Sequence, residues 1–172
     1  MRLGEELREI QLKILNSKSR DRFELAIRTA VRLDDLQEAI VGVKPQIVHF
    51  MGHGTQSGAL ILEDSSGKSK QAEASEVASL FEAVGDQLDC VVLNVSNSSS
   101  LARIIAKHVK YVIGMERGIS DRAAIVFASH FYQALAFGRS IEDAFELARA
   151  GIELEELSDS IEPILVTKGK VV

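Results

Sequence analysis

Nine residues, Leu88-Asp89-Cys90-Val91-Val92-Leu93-Asn94-Val95-Ser96, constrain this chain more than any other stretch. Their core is a short apolar run without polar alternation, the pattern of a strand covered on both faces. The run ends in a small polar residue, then Asn97-Ser98-Ser99-Ser100, then a helical pattern, so Ser96 falls at the carboxyl end of a sheet. Open α/β sheets bind their ligands there. A second run of the same shape, Gln46-Ile47-Val48-His49-Phe50-Met51, leads into Gly52-His53-Gly54 and sets His53 at another strand tip. A hydroxyl and an imidazole at two strand ends are the raw material of a nucleophile–base site.

The remaining segments fit around these strands. Leu3, Leu7, Ile10 and Ile14 recur at helical spacing and predict a helix over 2–18. Phe23, Leu25 and Ile27 alternate with Glu24 and Arg28 and predict a strand over 23–31. Asp34 and Asp35 open a short helix that Gly42 closes, and Pro45 holds its predecessor extended before the strand at 46–51. Next come a loop at 52–58 with three glycines, a strand at 59–63, and a turn at 64–70. Ser75 is placed to cap a helix ending before Gly85. Beyond the central strand lie a helix through Leu101, Ile105 and His108, a strand at 111–115, and helices opened by Ser120 and Ser140. A final strand is expected at 163–166. Strands alternating with helices, several apolar throughout, predict a single α/β domain over 1–172 with a mostly parallel sheet and helices on both faces.

Bulk properties exclude several function classes. The 172 residues are 46% hydrophobic and 26% charged, with a net charge of −5 and no basic stripe, so nucleic acid is not the expected partner. One cysteine permits neither an internal disulfide nor a zinc–cysteine cluster. No apolar run approaches the roughly 20 residues needed to span a bilayer. No secretory signal opens the chain. The expected setting is cytoplasmic, without membrane, metal or cofactor.

Taken together and in order, Leu3-Gly4-Glu5-Glu6-Leu7-Arg8, Pro45-Gln46-Ile47-Val48-His49-Phe50, Gly52-His53-Gly54, Val91-Val92-Leu93-Asn94, Val112-Ile113-Gly114-Met115 and Ile119-Ser120-Asp121 are specific. So are Asp35-Leu36-Gln37 and Phe131-Tyr132 with Leu135 and Gly138. The chain resembles the CHAT family, caspase-like peptidase domains common in bacteria and related to caspases and separases. The resemblance runs from about Leu3 to about Val166 and implies a caspase-like three-layer sandwich. It implies that His53 holds the catalytic histidine position and that the Gly54 N–H joins an oxyanion hole. Ser96 then holds the position of the family's catalytic cysteine, and Asp121 that of an aspartate which, in separases, helps hold a basic P1 side chain. The implied partner is a peptide or protein.

Two departures from the family follow. A cysteine thiol, with a pKa of about 8.5, is readily drawn into the thiolate by an imidazole. A serine hydroxyl needs a base in tight contact and usually a third group orienting that base. Val95 and Asn97 also replace the family's alanine and aromatic. The leading expectation is therefore a pseudo-peptidase that binds peptide or protein, a regulatory module of the kind coupled to bacterial defence or cell death. The alternatives are a hydrolase using Ser96 with His53 as base, and a cysteine peptidase whose nucleophile was exchanged for serine, which the changes at Val95 and Asn97 argue against. The second departure is the family's first strand, which precedes the Leu-Gly-Glu-Glu helix and has no counterpart here. Either strand 23–31 closes directly against 46–51, or a partner, including a second copy, supplies a strand to an unpaired sheet edge.

Other residues have plainer readings. His49, four residues before His53 on a strand rather than a helix, does not share a face with it as helical zinc ligands do. Cys90 starts its strand, away from the carboxyl end, and reads as a buried small hydrophobe. His108 and His130 fall in helices. Asp121 equally suits the positive end of a helix. Ser98-Ser99-Ser100 is placed to cap the next helix or to face an anion, but no Gly-x-x-x-x-Gly-Lys run supports nucleotide binding.

Overall fold

The two apolar runs fold as neighbouring strands. A computed structural model describes residues 2–167 and 170–171. Its strands are β1 (Ile47–Met51), β2 (Leu60–Glu63), β3 (Ser69–Ala72), β4 (Cys90–Asn94), β5 (Tyr111–Met115), β6 (Pro163–Thr167) and β7 (Lys170–Val171). Its helices are α1 (Leu3–Leu15), α2 (Leu33–Val43), α3 (Ala74–Val84), α4 (Ser99–Ile105), α5 (Asp121–Ala136) and α6 (Ile141–Leu154). The main sheet runs β1-β4-β5-β6-β7, with β1–β4 and β4–β5 parallel and β6–β7 antiparallel. This is the α/β class expected, with a mostly parallel sheet consistent with a caspase-like sandwich.

The chain forms two compact units. One contains the sheet and spans Ala26–Arg117 and the residues from Ile164 onward. Every residue of β4 is buried, as the apolar run Cys90–Leu93 requires, and the polar Asn94 is buried at its end. Val91 and Leu93 join Val77 and Phe81 of α3, Leu101 and Ile105 of α4, and Val112 of β5 in one apolar core. The Phe81 ring meets Phe50 of β1 edge-on, with centroids 6.4 Å apart.

The other unit is helical and comprises residues up to Leu25 with Gly118–Pro163. Here α5 packs on α1 and α6. Phe127 stacks on Phe131 with centroids 6.0 Å apart and meets Phe145 edge-on at 6.1 Å. The serines expected to open α5 and α6 do cap them. Ser120 accepts from the Ala123 N–H and Ser140 from the Asp143 N–H, at 3.2 and 3.1 Å, which satisfies donors that a helix start leaves orphaned.

Several local expectations are corrected. Residues 23–31 form no strand: they run as irregular chain, and Leu25 and Ile27 stand 41% and 42% exposed. Alternation supplies a face to bury, but a strand also needs a hydrogen-bonding neighbour. Among the described residues, the sheet ends at β1 without one here. Closure of 23–31 against 46–51 is therefore not what the fold adopts. Residues 69 and 70, read as the end of a turn, instead open β3, which pairs with β2 from Leu60↔Ala72 to Glu63↔Ser69. Helix α2 runs past Gly42 to Val43, and Lys44 takes the left-handed conformation at φ 51°. Helix α3 starts one residue before Ser75, with Glu73 as its cap and the Glu76 carboxylate accepting from the Glu73 N–H.

Phe81 is fully buried and joins α3 to β1. Phe81→Ala is expected to destabilise the fold by about 3–5 kcal/mol, as large-to-small aromatic changes in cores do. Urea unfolding followed by far-UV circular dichroism measures this as a lowered midpoint.

Candidate active site

The register of β1 on β4 builds the site. Cα partners run from Ile47↔Cys90 to Met51↔Asn94, so the two strands end level. The chain leaving β1, Gly52-His53-Gly54, and the chain leaving β4, Val95-Ser96-Asn97, therefore emerge side by side at the carboxyl edge of the sheet. His53 is exposed there, and Gly54 and Ser96 are half-buried.

Gly54 is where the two segments touch. A Cβ on it would lie 2.6 Å from the Ser96 carbonyl oxygen and 2.7 Å from Val95 Cγ1. No side chain fits so close to backbone, so glycine is required by space. Four residues later Gly58, at φ +84°, lies equally close to the Asn97 carbonyl, 2.8 Å from where its Cβ would stand. The 54–58 loop is thus moulded onto the β4 exit turn.

The histidine segment is held from its other side by β2. The Ile61 N–H donates to the His53 carbonyl at 3.1 Å, and the Thr55 N–H donates to the Ala59 carbonyl at 3.0 Å, with Gly54 opposite Leu60. In antiparallel pairing of this kind the flanking residues make both bonds. The N–H and C=O of Gly54 itself therefore point away from β2. Thr55 Oγ1 accepts from the Ala59 N–H at 3.0 Å and lies 2.8 Å from Ser57 Oγ, which closes the loop.

A buried serine holds the β4 turn. Ser98 Oγ donates to the Leu93 carbonyl at 3.1 Å and accepts from the Met115 N–H at 3.0 Å. The β4–β5 ladder stops at Val92↔Ile113, and the Ser98 hydroxyl continues the link between the strands beyond that point. Asn97 takes the left-handed conformation at φ 58° and donates its N–H to the Arg117 carbonyl at 3.2 Å. Asparagine tolerates that conformation better than most residues. Ser98 was read as a cap or an anion contact. It precedes α4 but makes no side-chain cap bond, because its hydroxyl is engaged between the strands. No local pattern announces this role, since Leu93 and Met115 lie on two different strands.

The other candidates occupy distinct places. Asp121 is the first residue of α5 in the helical unit, half-buried and preceded by the capping Ser120. Cys90 is fully buried at the start of β4, where burial and the neighbouring Asp89 push its thiol far above the ordinary range. It is an inert core residue, as read. His49 lies within β1. His130 on α5 has its pKa lowered by partial burial and by Lys13, with Glu155 opposing. Among the described residues, no three His, Cys, Asp or Glu side chains converge to hold a metal.

With a strand-end histidine followed by a glycine that lies against the Ser96 carbonyl, comparison with known proteins is informative. A family model described as the CHAT domain matches residues 3–159. The chain belongs to the CHAT domain family. A protein named Roc-COR-CHAT protease, from an unknown prokaryotic organism, is 26% identical over 157 residues. These cover 87% of this chain and 15% of that protein. A probable protease from Gillisia limnaea is 23% identical over 135 residues, 77% of this chain and 24% of that protein. The chain thus matches less than a quarter of the length of either relative.

Two substitutions probe this CHAT site. Gly54→Ala forces backbone apart at Ser96 and is expected to cost about 1–3 kcal/mol, the usual penalty of overpacking, read as a lower melting temperature. Ser98→Ala leaves the Leu93 carbonyl and the Met115 N–H without their shared partner, a loss of about 1–3 kcal/mol. Hydrogen exchange should show the Met115 amide losing protection while amides of α5 keep theirs.

Proposed function

We propose that this CHAT domain binds peptide or protein through the paired loops carrying His53–Gly54 and Ser96, and that it hydrolyses its ligand poorly or not at all. The observation that carries this reading is the hydroxyl at the β4 exit, where the family resemblance calls for a thiol. A thiol at residue 96 would give up its proton to the His53 imidazole before attack. A serine hydroxyl must lose its proton during attack, to a base held in tight contact and oriented by a further group. Here His53 is exposed at the end of a glycine loop, an environment that does little to orient an imidazole.

The rest of the machinery retains features useful for binding. Gly54 turns its N–H away from β2, which suits an oxyanion donor acting with the N–H of residue 96. Asp121 is the proposed carboxylate for a basic side chain of the bound peptide. A regulatory role in a bacterial, cytoplasmic defence or cell-death system is part of the same proposal. What supports a role within a larger protein is that this chain matches 15% of the length of the relative named Roc-COR-CHAT protease, from a prokaryote. The packing of Gly54 against Ser96 also favours a second reading, a hydrolase in which His53 activates Ser96 directly.

One experiment separates them. Wild type, Ser96→Cys and Ser96→Cys/His53→Ala are incubated with a peptide library, and wild type is treated with a fluorophosphonate probe. The disarmed-peptidase reading expects no labelling, cleavage by the Ser96→Cys variant alone, and a loss of about 10²–10⁴-fold on removing the general base. A basic P1 preference abolished by Asp121→Ala would support the assignment of Asp121. Serine-dependent labelling with cleavage by wild type would establish the hydrolase instead. Failure of Ser96→Cys both to cleave and to bind library peptides would refute the peptide-binding site.

A further inference from the structure

We infer that Thr55 is a positioning residue of the candidate site: its hydroxyl holds the hairpin tip that sets the Gly54 N–H beside the turn carrying Ser96. The inference rests on the reading of that N–H as an oxyanion donor, and adds a side chain that acts on it through the loop.

The tip departs from a regular antiparallel pair. Gly54 stands opposite Leu60, and the next pair, Thr55 with Ala59, would exchange two N–H···O bonds in an undistorted ladder. One of these is made, from the Thr55 N–H to the Ala59 carbonyl at 3.0 Å. The Thr55 carbonyl instead accepts from the Gly58 N–H at 3.1 Å, which closes a tight turn. Gly58 takes the left-handed conformation at φ +84°, the bulge position that a three-residue hairpin loop gives to glycine. The displaced Ala59 N–H goes to Thr55 Oγ1 at 3.0 Å. Ala59 is buried, and a buried N–H without an acceptor costs free energy. The threonine side chain thus supplies the acceptor that the bulge takes away. Its hydroxyl also lies 2.8 Å from Ser57 Oγ, across the loop.

Both ends of this tip rest on the β4 exit turn. A Cβ on Gly54 would lie 2.6 Å from the Ser96 carbonyl oxygen, and one on Gly58 would lie 2.8 Å from the Asn97 carbonyl oxygen. Two successive carbonyls of the turn therefore each face one glycine of the tip. Contacts this close leave little slack, so a loop that widens at Thr55–Ala59 displaces Gly54 relative to residue 96. Misplacement of a catalytic group by about 1 Å can cost about 10²-fold in rate. Valine has the shape of threonine without the hydroxyl, and serine keeps the hydroxyl, so the two substitutions isolate it.

Amide NMR of the full chain carrying Thr55→Val or Thr55→Ser tests the inference. Peptide cleavage is measured with the same substitutions in whichever of wild type and Ser96→Cys cleaves. Thr55→Val should remove hydrogen-exchange protection at Ala59 and move the Ser96 and Asn97 amide resonances, while those of α5 stay in place. Thr55→Ser should restore all of them. Thr55→Val should lower kcat about 10–10²-fold with KM within about threefold, because an oxyanion contact is made in the transition state, and Thr55→Ser should recover most of the rate. A purely structural threonine would lower the melting temperature and leave kcat of the folded protein unchanged. If neither parent cleaves, the oxyanion reading fails by itself, and the Ser96 and Asn97 resonances still decide whether Thr55 sets the tip. The inference is overturned if Thr55→Val exposes the Ala59 amide but leaves those resonances where they were. It is equally overturned if Thr55→Val keeps the kcat of its parent.

Discussion

The parallel pairing of Ile47–Met51 with Cys90–Asn94 is the contact on which the candidate site depends. Its register makes the two strands end level, Met51 beside Asn94. Parallel strands deliver their exits to the same edge of a sheet, so residues 43 positions apart in the chain leave together. A shift of one residue would turn every side chain of β1 to the opposite face and move the glycine loop off the β4 turn.

Small residues do the finer positioning. Gly54 lets two backbones approach to a distance at which a Cβ would overlap the Ser96 carbonyl. Gly114 plays the same part under Ser98, where a Cβ would stand 2.7 Å from Ala102 Cβ and 3.1 Å from the Ser98 carbonyl oxygen. The Ser98 hydroxyl then serves as donor to one strand and acceptor to the next, replacing a ladder bond where the strands diverge. Both of its partners are backbone groups on neighbouring strands, and a buried backbone group left unpaired is the costly situation. The turn that presents Ser96 is thereby fixed by hydrogen bonds, while His53, clamped through its carbonyl, keeps an exposed side chain.

The same sheet carries an opposite economy at its edge. β4 is central and fully buried, and its apolar side chains are accounted for by packing on both sides. β1 has a similar composition but only one strand neighbour among the described residues. Its half-exposed side chains follow from that position rather than from any difference in sequence character.

Much of this was legible in the linear sequence. Uninterrupted apolar runs identified β1, β4 and β5, helical spacing identified α1, α5 and α6, and Ser120 and Ser140 announced their caps. Cys90 could be recognised as a core residue from its place at the start of a strand. These features depend on periodicity and on groups within a few residues, which a chain carries along its length. The strand expected at 23–31 did not form, because alternation specifies a face but not a neighbour. The β2–β3 hairpin, the fit of Gly54 against Ser96 and the bridging role of Ser98 were decided only in three dimensions. Each depends on which distant backbone lies alongside, and that is set by the register and packing of the assembled sheet.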